Sequence, residues 1–317
     1  MKKLERLIGQ SEVKARLNDV IQAIKNGEKT GERYVIPRIL LGGLTGLGKT
    51  FFADAFADAL SWQFIEIPPQ AGWRFFSEMA LKSASINGET DAATPIPTVF
   101  LCDEAHDQKV LANMLKLVIG HDNPKMHERN GTKFFSDPAQ HVWIFASNEE
   151  LDPALRRRCG GFELILSPYN KGEKKELISL YSDKPIDPEA LDYLEGRIKP
   201  TAGEAKNLCD ALNVELVKKI DLVTAKAVVK KVGLFPGGIK RADLQILQRI
   251  AQGNAGLETL KCVACDVRTK TTKGRLGWLS SLNLCEPRKS AYVLTKNGSK
   301  YLLDLSEAQA KARAARK

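Results

Sequence analysis

Gly43-Leu44-Thr45-Gly46-Leu47-Gly48-Lys49-Thr50 is the stretch on which the fold turns. It satisfies the pattern G-x-x-x-x-G-K-[ST]. A short apolar run, Ile39–Leu41, leads into it, and Phe51–Leu60, rich in alanine and helical in its spacing, leads out. Strand, glycine loop and helix in that order are the context in which this pattern binds phosphate rather than merely turning the chain. Glycines at 43, 46 and 48 let successive backbone N–H groups curl around a β-phosphate with no Cβ in the way. The helix N-terminus adds partial positive charge. Lys49 is placed to reach the β- and γ-phosphates, and the Thr50 hydroxyl to ligate Mg²⁺. ATP and Mg²⁺ are therefore the expected ligands.

Two more strands supply polar groups to the same chemistry. Thr98-Val99-Phe100-Leu101-Cys102 is apolar and ends in Asp103-Glu104-Ala105-His106. Asp103 is expected to hold Mg²⁺ through its waters, and Glu104 to polarise the attacking water. His106 has no second His or Cys at ligand spacing and is not read as a metal ligand. His141–Ala146 is a third apolar run, ending at Ser147-Asn148. Asn148 there positions the lytic water, or simply caps a strand end. Next comes Leu155-Arg156-Arg157-Arg158-Cys159. Three arginines in a row form either a solvated face or, in an oligomeric ATPase, a group that reaches the γ-phosphate held by the next subunit. Alternating strands and helices around a P-loop predict an α/β fold with a parallel sheet.

Composition narrows the class. At 317 residues the chain has room for two or three domains, and 43% hydrophobic with 27% charged residues describes a globular protein. No apolar run approaches the ~18–20 residues of a membrane span. The opening MKKLERLIGQ lacks an apolar segment, so no signal peptide is expected and the cysteines at 102, 159, 209, 262, 265 and 285 are expected to stay reduced in the cytoplasm. Residues 1–232 hold 32 Lys and Arg against 32 Asp and Glu, whereas residues 233–317 hold 16 against 6, so the whole net charge of +10 sits in the last quarter. A lysine-rich solvated tail would explain that excess; a nucleic-acid-binding domain explains it better, because a folded pattern coincides with it. Ile239–Gly253 is amphipathic, Gly256–Leu260 opens a short helix, and Val267–Leu284 contains a third. The last carries Arg268, Lys270, Lys273 and Arg275 among threonines. Ala291–Leu302 reads as strand, Asn297-Gly298 turn and return, giving a winged helix with Lys270, Lys273 and Arg275 as candidate DNA-phosphate contacts. Cys262-Val263-Ala264-Cys265 has no partner pair and is read as a buried helix pair rather than a zinc site. Lys171–Leu180, Pro188–Leu194 and Gly203–Lys219 have helical spacing, and Glu307–Lys317 reads as a frayed basic helix or a disordered tail.

The order of P-loop, Asp-Glu, Asn and Leu-Arg-x-Arg resembles that of AAA+ ATPases, and within them most the RuvB family of Holliday-junction branch-migration motors. Leu7-Ile8-Gly9-Gln10 with Val13 and Leu17 resembles the family's opening box, which implies that Ile8 and Gly9 line an adenine pocket. Leu155-Arg156-Arg157-Arg158-Cys159-Gly160 resembles its arginine finger, which implies that Arg158 acts in trans. Met126–Phe135, with Asn130-Gly131 at its middle, resembles the hairpin insertion of the RuvB subgroup. Gly203-Glu204-Ala205-Lys206 resembles the sensor-2 pattern, with Lys206 in place of arginine, which keeps the charge and loses the bidentate fork. Pro68–Arg74 departs from the family; Trp73 and Arg74 are either core and surface or a DNA-facing pore loop.

The resemblance implies an AAA+ core over residues 1–170, a helical lid over 171–232, a winged-helix domain over 233–305 and a basic tail over 306–317. It implies a homo-oligomer, expected as a hexameric ring, that works on DNA with a junction-binding or helicase partner and away from membranes. Two functions compete: a RuvB-like DNA motor, and a helicase-loader or transposition-regulator ATPase that assembles on DNA or delivers a partner. A protein-remodelling ATPase is a third reading, disfavoured by the basic C-terminal part.

Overall fold

The computed structural model describes residues 4, 7–32, 34, 36–68, 84–86, 93–107, 125–129, 132–151, 153–159, 162–253 and 255–314. Trp73 and Arg74 lie outside these residues, as do Asn130, Gly131 and Gly160. The chain divides into two compact units, Met1–Leu177 with Pro200–Gly203, and Ile178–Lys199 with Glu204–Lys317.

The first unit is built on a five-stranded parallel sheet of β1 (Ile39–Gly42), β2 (Gln63–Ile67), β5 (Thr98–Cys102), β8 (His141–Ser147) and β9 (Glu163–Ile165). Their order across the sheet is β2-β5-β8-β1-β9. All of β5 and all of β8 are buried, as central strands covered on both faces require, which is why they read as unbroken apolar runs rather than alternating ones. Phe100 stacks on Trp143 of the neighbouring strand with ring centroids 4.4 Å apart. Helix α1 (Ser11–Thr30) buries Val13, Leu17, Val20, Ile21 and Ile24, one stripe at helical spacing, and ends at Gly31 with φ +73°. Helix α2 (Lys49–Leu60) buries Phe52 and Phe56 completely. Two antiparallel hairpins accompany this sheet: β3 (Ala84–Ile86) with β4 (Ala93–Pro95), and β6 (Lys125–Arg129) with β7 (Thr132–Ser136). The second is the hairpin expected around Asn130-Gly131.

The second unit opens with helices that continue from Lys171–Tyr181 and run through Pro188–Glu195, Ala202–Asn213 and Leu222–Val232. The third stops at Asn213 rather than Lys219. Lys184 sets that end, donating from Nζ to the carbonyls of Asn213 (2.8 Å), Leu212 (3.4 Å) and Glu215, a cation on a helix C-terminus. The fourth helix was not expected from the sequence, though Asp221 caps it by accepting from Thr224 N–H at 2.7 Å and Gly233 closes it with φ +74°.

After a short antiparallel pair, β10 (Leu234–Phe235) with β11 (Ile239–Lys240), helices Arg241–Ala251, Leu257–Val263 and Thr269–Ser281 enclose one apolar cluster with the antiparallel strands β12 (Ala255–Gly256), β13 (Cys285–Arg288) and β14 (Ala291–Leu294), in the order β12-β14-β13. The strand–turn–strand feature is β13 and β14, turning at Lys289 and Ser290, not a turn at Asn297-Gly298. Asn297 and Gly298 instead lie in the first turn of a helix, Lys296–Ala314. Thr295 caps it, its hydroxyl oxygen accepting from Gly298 N–H at 3.0 Å. Of the two readings of the tail the structure takes the helix, as far as Ala314. Cys262 and Cys265 are exposed, not a buried pair; the four other cysteines are buried, and all six are free. Among the described residues no helix is long and apolar enough to cross a membrane.

Candidate nucleotide site

Strand register brings the polar ends of three strands to one edge of the sheet. Gly42 is paired with Ser147, and Cys102 with Phe145, so the loops that follow β1, β5 and β8 leave the sheet side by side. This is the carboxyl edge, where open α/β sheets bind ligands. The P-loop leaves β1 through Gly43 (φ +135°), Gly46 (φ +85°) and Gly48 (φ +93°), all in the region that favours glycine. A Cβ on Gly43 would lie 2.9 Å from the Leu166 carbonyl oxygen, so the loop is also packed too closely for a side chain.

Lys49 is the first residue of α2 and is buried; Thr50 follows it. Lys49 Nζ donates to the carbonyls of Gly43 (2.8 Å) and Leu44 (3.2 Å). Burial draws its ammonium below the ordinary lysine range, while the carboxylates of Asp103 and Glu104 act in the opposite direction. A cation held in this way beside two acids and a hydroxyl fits a nucleotide whose phosphates share Mg²⁺ with Thr50 and Asp103. Among the described residues there is no cluster of three or more His, Cys, Asp or Glu able to hold a metal by itself.

Glu104 has φ +49°, unusual for a residue with a side chain, and its N–H donates to Asp103 Oδ1 at 2.9 Å. Its Oε2 is 3.2 Å from His106 Nε2, and His106 Nδ1 is 3.0 Å from Ser147 Oγ. Asn148 Nδ2 donates to Thr45 Oγ1 at 2.9 Å, tying the end of β8 to the P-loop. Its Oδ1 is buried with no hydrogen bond among the described residues, an acceptor suited to an O–H of water. Lys49, Asp103, Glu104 and Asn148 thus come to one edge of the sheet. His106, Ser147 and Thr45 join them without having been expected.

The opening box is stapled to the same loop system. Gln10 exchanges two hydrogen bonds with the backbone of Ser167, at 2.6 and 2.9 Å. Gly9, next to Ile8, has φ +62°, and a Cβ there would meet Glu173 Oε1 at 2.3 Å. Tyr169 is buried and its hydroxyl donates to the Leu47 carbonyl at 3.1 Å, while Gly203 N–H donates to Gly46 O at 3.0 Å. Lys206 belongs to the second unit. Arg158 lies on helix Pro153–Arg158 and donates to Ala154 O at 3.1 Å, within that helix.

No family profile matches this sequence, and no curated protein does. Solved structures do match. The Thermotoga maritima RuvB Holliday junction branch migration motor superposes with a TM-score of 0.74 at 22% identity, over 95% of this chain and 97% of that one. A point mutant of T. maritima RuvB gives 0.75 at 22% identity, over 95% and 98%. The chain has the RuvB fold. Identity at this level carries the course of the backbone, with its parallel sheet, over almost the whole length of both chains. What the RuvB fold holds at its sheet edge in this chain rests on the contacts described above.

In the second unit the expected DNA contacts separate. Lys270 and Lys273 are exposed on helix Thr269–Ser281. Arg275 is committed elsewhere: Nη1 reaches Asp243 at 2.8 Å and Nε reaches both oxygens of Asp266 at 3.2 Å. Asp243 is fully buried, so this guanidinium neutralises an interior charge instead of presenting itself to a phosphate. Sequence reasoning missed Arg288 and Lys289, both exposed at the β13–β14 turn, because the turn itself was placed elsewhere.

Proposed function

We propose that this chain is an ATP-hydrolysing AAA+ motor that works on DNA as an oligomeric ring and remodels junctions or forks. The observation that carries the reading is the convergence of Lys49, Asp103, Glu104 and Asn148 at one edge of the RuvB-like sheet. Backbone N–H groups of Gly46–Thr50 cradle the β-phosphate and Lys49 bridges to the γ-phosphate. Thr50 and Asp103 would hold Mg²⁺, which would supply charge neutralisation to the transferring phosphate. Asn148 Oδ1 accepts from the attacking water and Glu104 polarises it. Arg158 of one subunit completes the site of its neighbour. Lys206 serves the sensor-2 position, and Ile8 and Gly9 border the adenine. DNA contact falls to Lys270 and Lys273, with Arg268, Arg288 and Lys289 beside them in sequence or across the β13–β14 turn, in what we read as a winged helix.

The test is the ATPase rate with no DNA, linear duplex, single strands and a four-way junction, alongside branch migration of a labelled junction. Hydrolysis stimulated by DNA and coupled to branch migration is expected. Hydrolysis indifferent to every DNA, or DNA-stimulated turnover with no strand movement, would remove the motor reading; the latter fits the loader.

A further inference from the structure

Glu104 is the residue whose carboxylate must be aimed, yet its own backbone does not aim it. The side chain has three rotatable bonds and is about one-third exposed (36%), so several rotamers are open to it. Two features restrict it. The backbone at Glu104 takes a left-handed turn, φ +49°, which fixes where the side chain starts. The short 3₁₀ turn Ala105–Asp107 then folds His106 back, so that its Nε2 lies 3.2 Å from Glu104 Oε2.

The His106 side chain is only 3% exposed, and its other nitrogen is 3.0 Å from Ser147 Oγ. With the proton on Nε2, the ring donates to the carboxylate and leaves Nδ1 as an acceptor facing the serine hydroxyl. Ser147 Oγ also lies 2.6 Å from Glu149 O and accepts from Glu149 N–H at 3.2 Å, which pins the bend that carries Asn148. One hydroxyl proton therefore serves either His106 or Glu149, and the choice depends on the shape of that bend. The chain Glu104–His106–Ser147 runs from the acidic strand end to the strand end bonded to the P-loop through Thr45.

We propose that His106 is a positioning residue that aims the Glu104 carboxylate at the attacking water and couples this aim, through Ser147, to the strand end that bears Asn148. The proposal rests on the reading of Glu104 as the group that polarises water. A misplacement of the order of 1 Å at such a group costs about 10²-fold in rate.

His106→Ala, His106→Gln, Ser147→Ala and the His106→Ala/Ser147→Ala double variant, compared with Glu104→Gln, make the test, each read for kcat, ATP affinity and melting temperature. His106→Ala is expected to lose about 10²-fold in kcat with unchanged ATP affinity. His106→Gln, whose amide nitrogen replaces the Nε2 donor, should recover part of that loss. The double variant should be no slower than His106→Ala alone, because both changes cut one chain. Wild-type kcat in His106→Ala or Ser147→Ala, beside an inactive Glu104→Gln, overturns the proposal alone. Normal turnover by Glu104→Gln overturns the reading beneath it as well. If His106→Ala fails to fold, Ser147→Ala carries the test: a kcat equal to wild type there overturns the proposal.

Discussion

Arg156, Arg157 and Arg158 are consecutive cations in two kinds of environment, and that difference separates Arg156 from the two that are available to a neighbouring subunit. Arg156 is paired in its own chain, with Glu163 at 3.1 Å and Glu150 at 3.4 Å. Among the described residues, the Arg157 side chain donates to a carbonyl, that of Pro153 at 3.3 Å, and Arg158 likewise to that of Ala154. A carbonyl contact is given up more readily than a pair of carboxylates, so Arg158 remains the better candidate to cross a subunit boundary. Arg158→Ala is expected to lose on the order of 10³–10⁵ in hydrolysis by the assembled protein while still binding ATP. Mixing it with Lys49→Ala protein should restore part of the activity, since a mixed interface can join an intact P-loop to an intact finger. Arg156→Ala breaks exposed pairs worth about 1 kcal/mol or less and should hydrolyse near the normal rate. Full activity of Arg158→Ala with loss in Arg156→Ala would reverse the assignment. For the P-loop lysine, Lys49→Ala is expected to abolish nucleotide binding or turnover, and Glu104→Gln to bind ATP without hydrolysing it. Calorimetric titration beside a phosphate-release assay separates the two outcomes.

At the scale of elements, local chemistry was legible and long-range pairing was not. The P-loop could be read because strand, glycines, lysine and helix are contiguous, and β5 and β8 because buried parallel strands are apolar throughout. The bridge from Glu104 to His106 and Ser147 could not: it depends on a left-handed backbone at a glutamate and on the register of β8 beside β5. Asn297-Gly298 misled because that dipeptide favours a hairpin turn, while the actual reason for Gly298 is a close approach. A Cβ there would stand 1.9 Å from the Leu284 carbonyl oxygen. Gly298→Ala should therefore destabilise the second unit by about 1–3 kcal/mol, as overpacking does, while Asn297→Ala, at an exposed position, should leave the melting temperature almost unchanged. Similar melting of both variants would mean that no close approach to Leu284 constrains Gly298. Arg275 misled in the same way, since a basic residue on a candidate recognition helix looks like a phosphate contact until Asp243 and Asp266 are found beneath it. Arg275→Met leaves Asp243 buried without its cation and should cost about 3 kcal/mol in denaturant unfolding, against almost nothing for Lys273→Met. Equal stability of the two would return Arg275 to the surface.

For the whole molecule, charge is the property that separates function from folding. Residues 1–232 balance, and the entire excess of +10 lies beyond them. Lys270 and Lys273 are exposed there, as are Arg268, Arg288 and Lys289, whereas Arg275 is spent on interior acids. Lysines of this kind meet phosphates rather than base edges, so DNA binding is expected to be largely independent of sequence and to weaken steeply with salt. Each phosphate neutralised contributes roughly −0.9 to the slope of log affinity against log salt. Lys273→Ala should flatten that slope by about one unit, and adding Arg288→Ala and Lys289→Ala should flatten it further if the β13–β14 turn also lies on the duplex. Hydrolysis without DNA and the melting temperature check that each variant remains folded. The competing arrangement holds DNA in the ring pore, through Trp73 and Arg74 or the hairpin of β6 and β7, and leaves the basic C-terminal part to dock a partner. Unchanged affinity and salt slope in the triple variant, measured around 0.15 M salt where surface charges are screened beyond roughly 8 Å, would decide for that competitor.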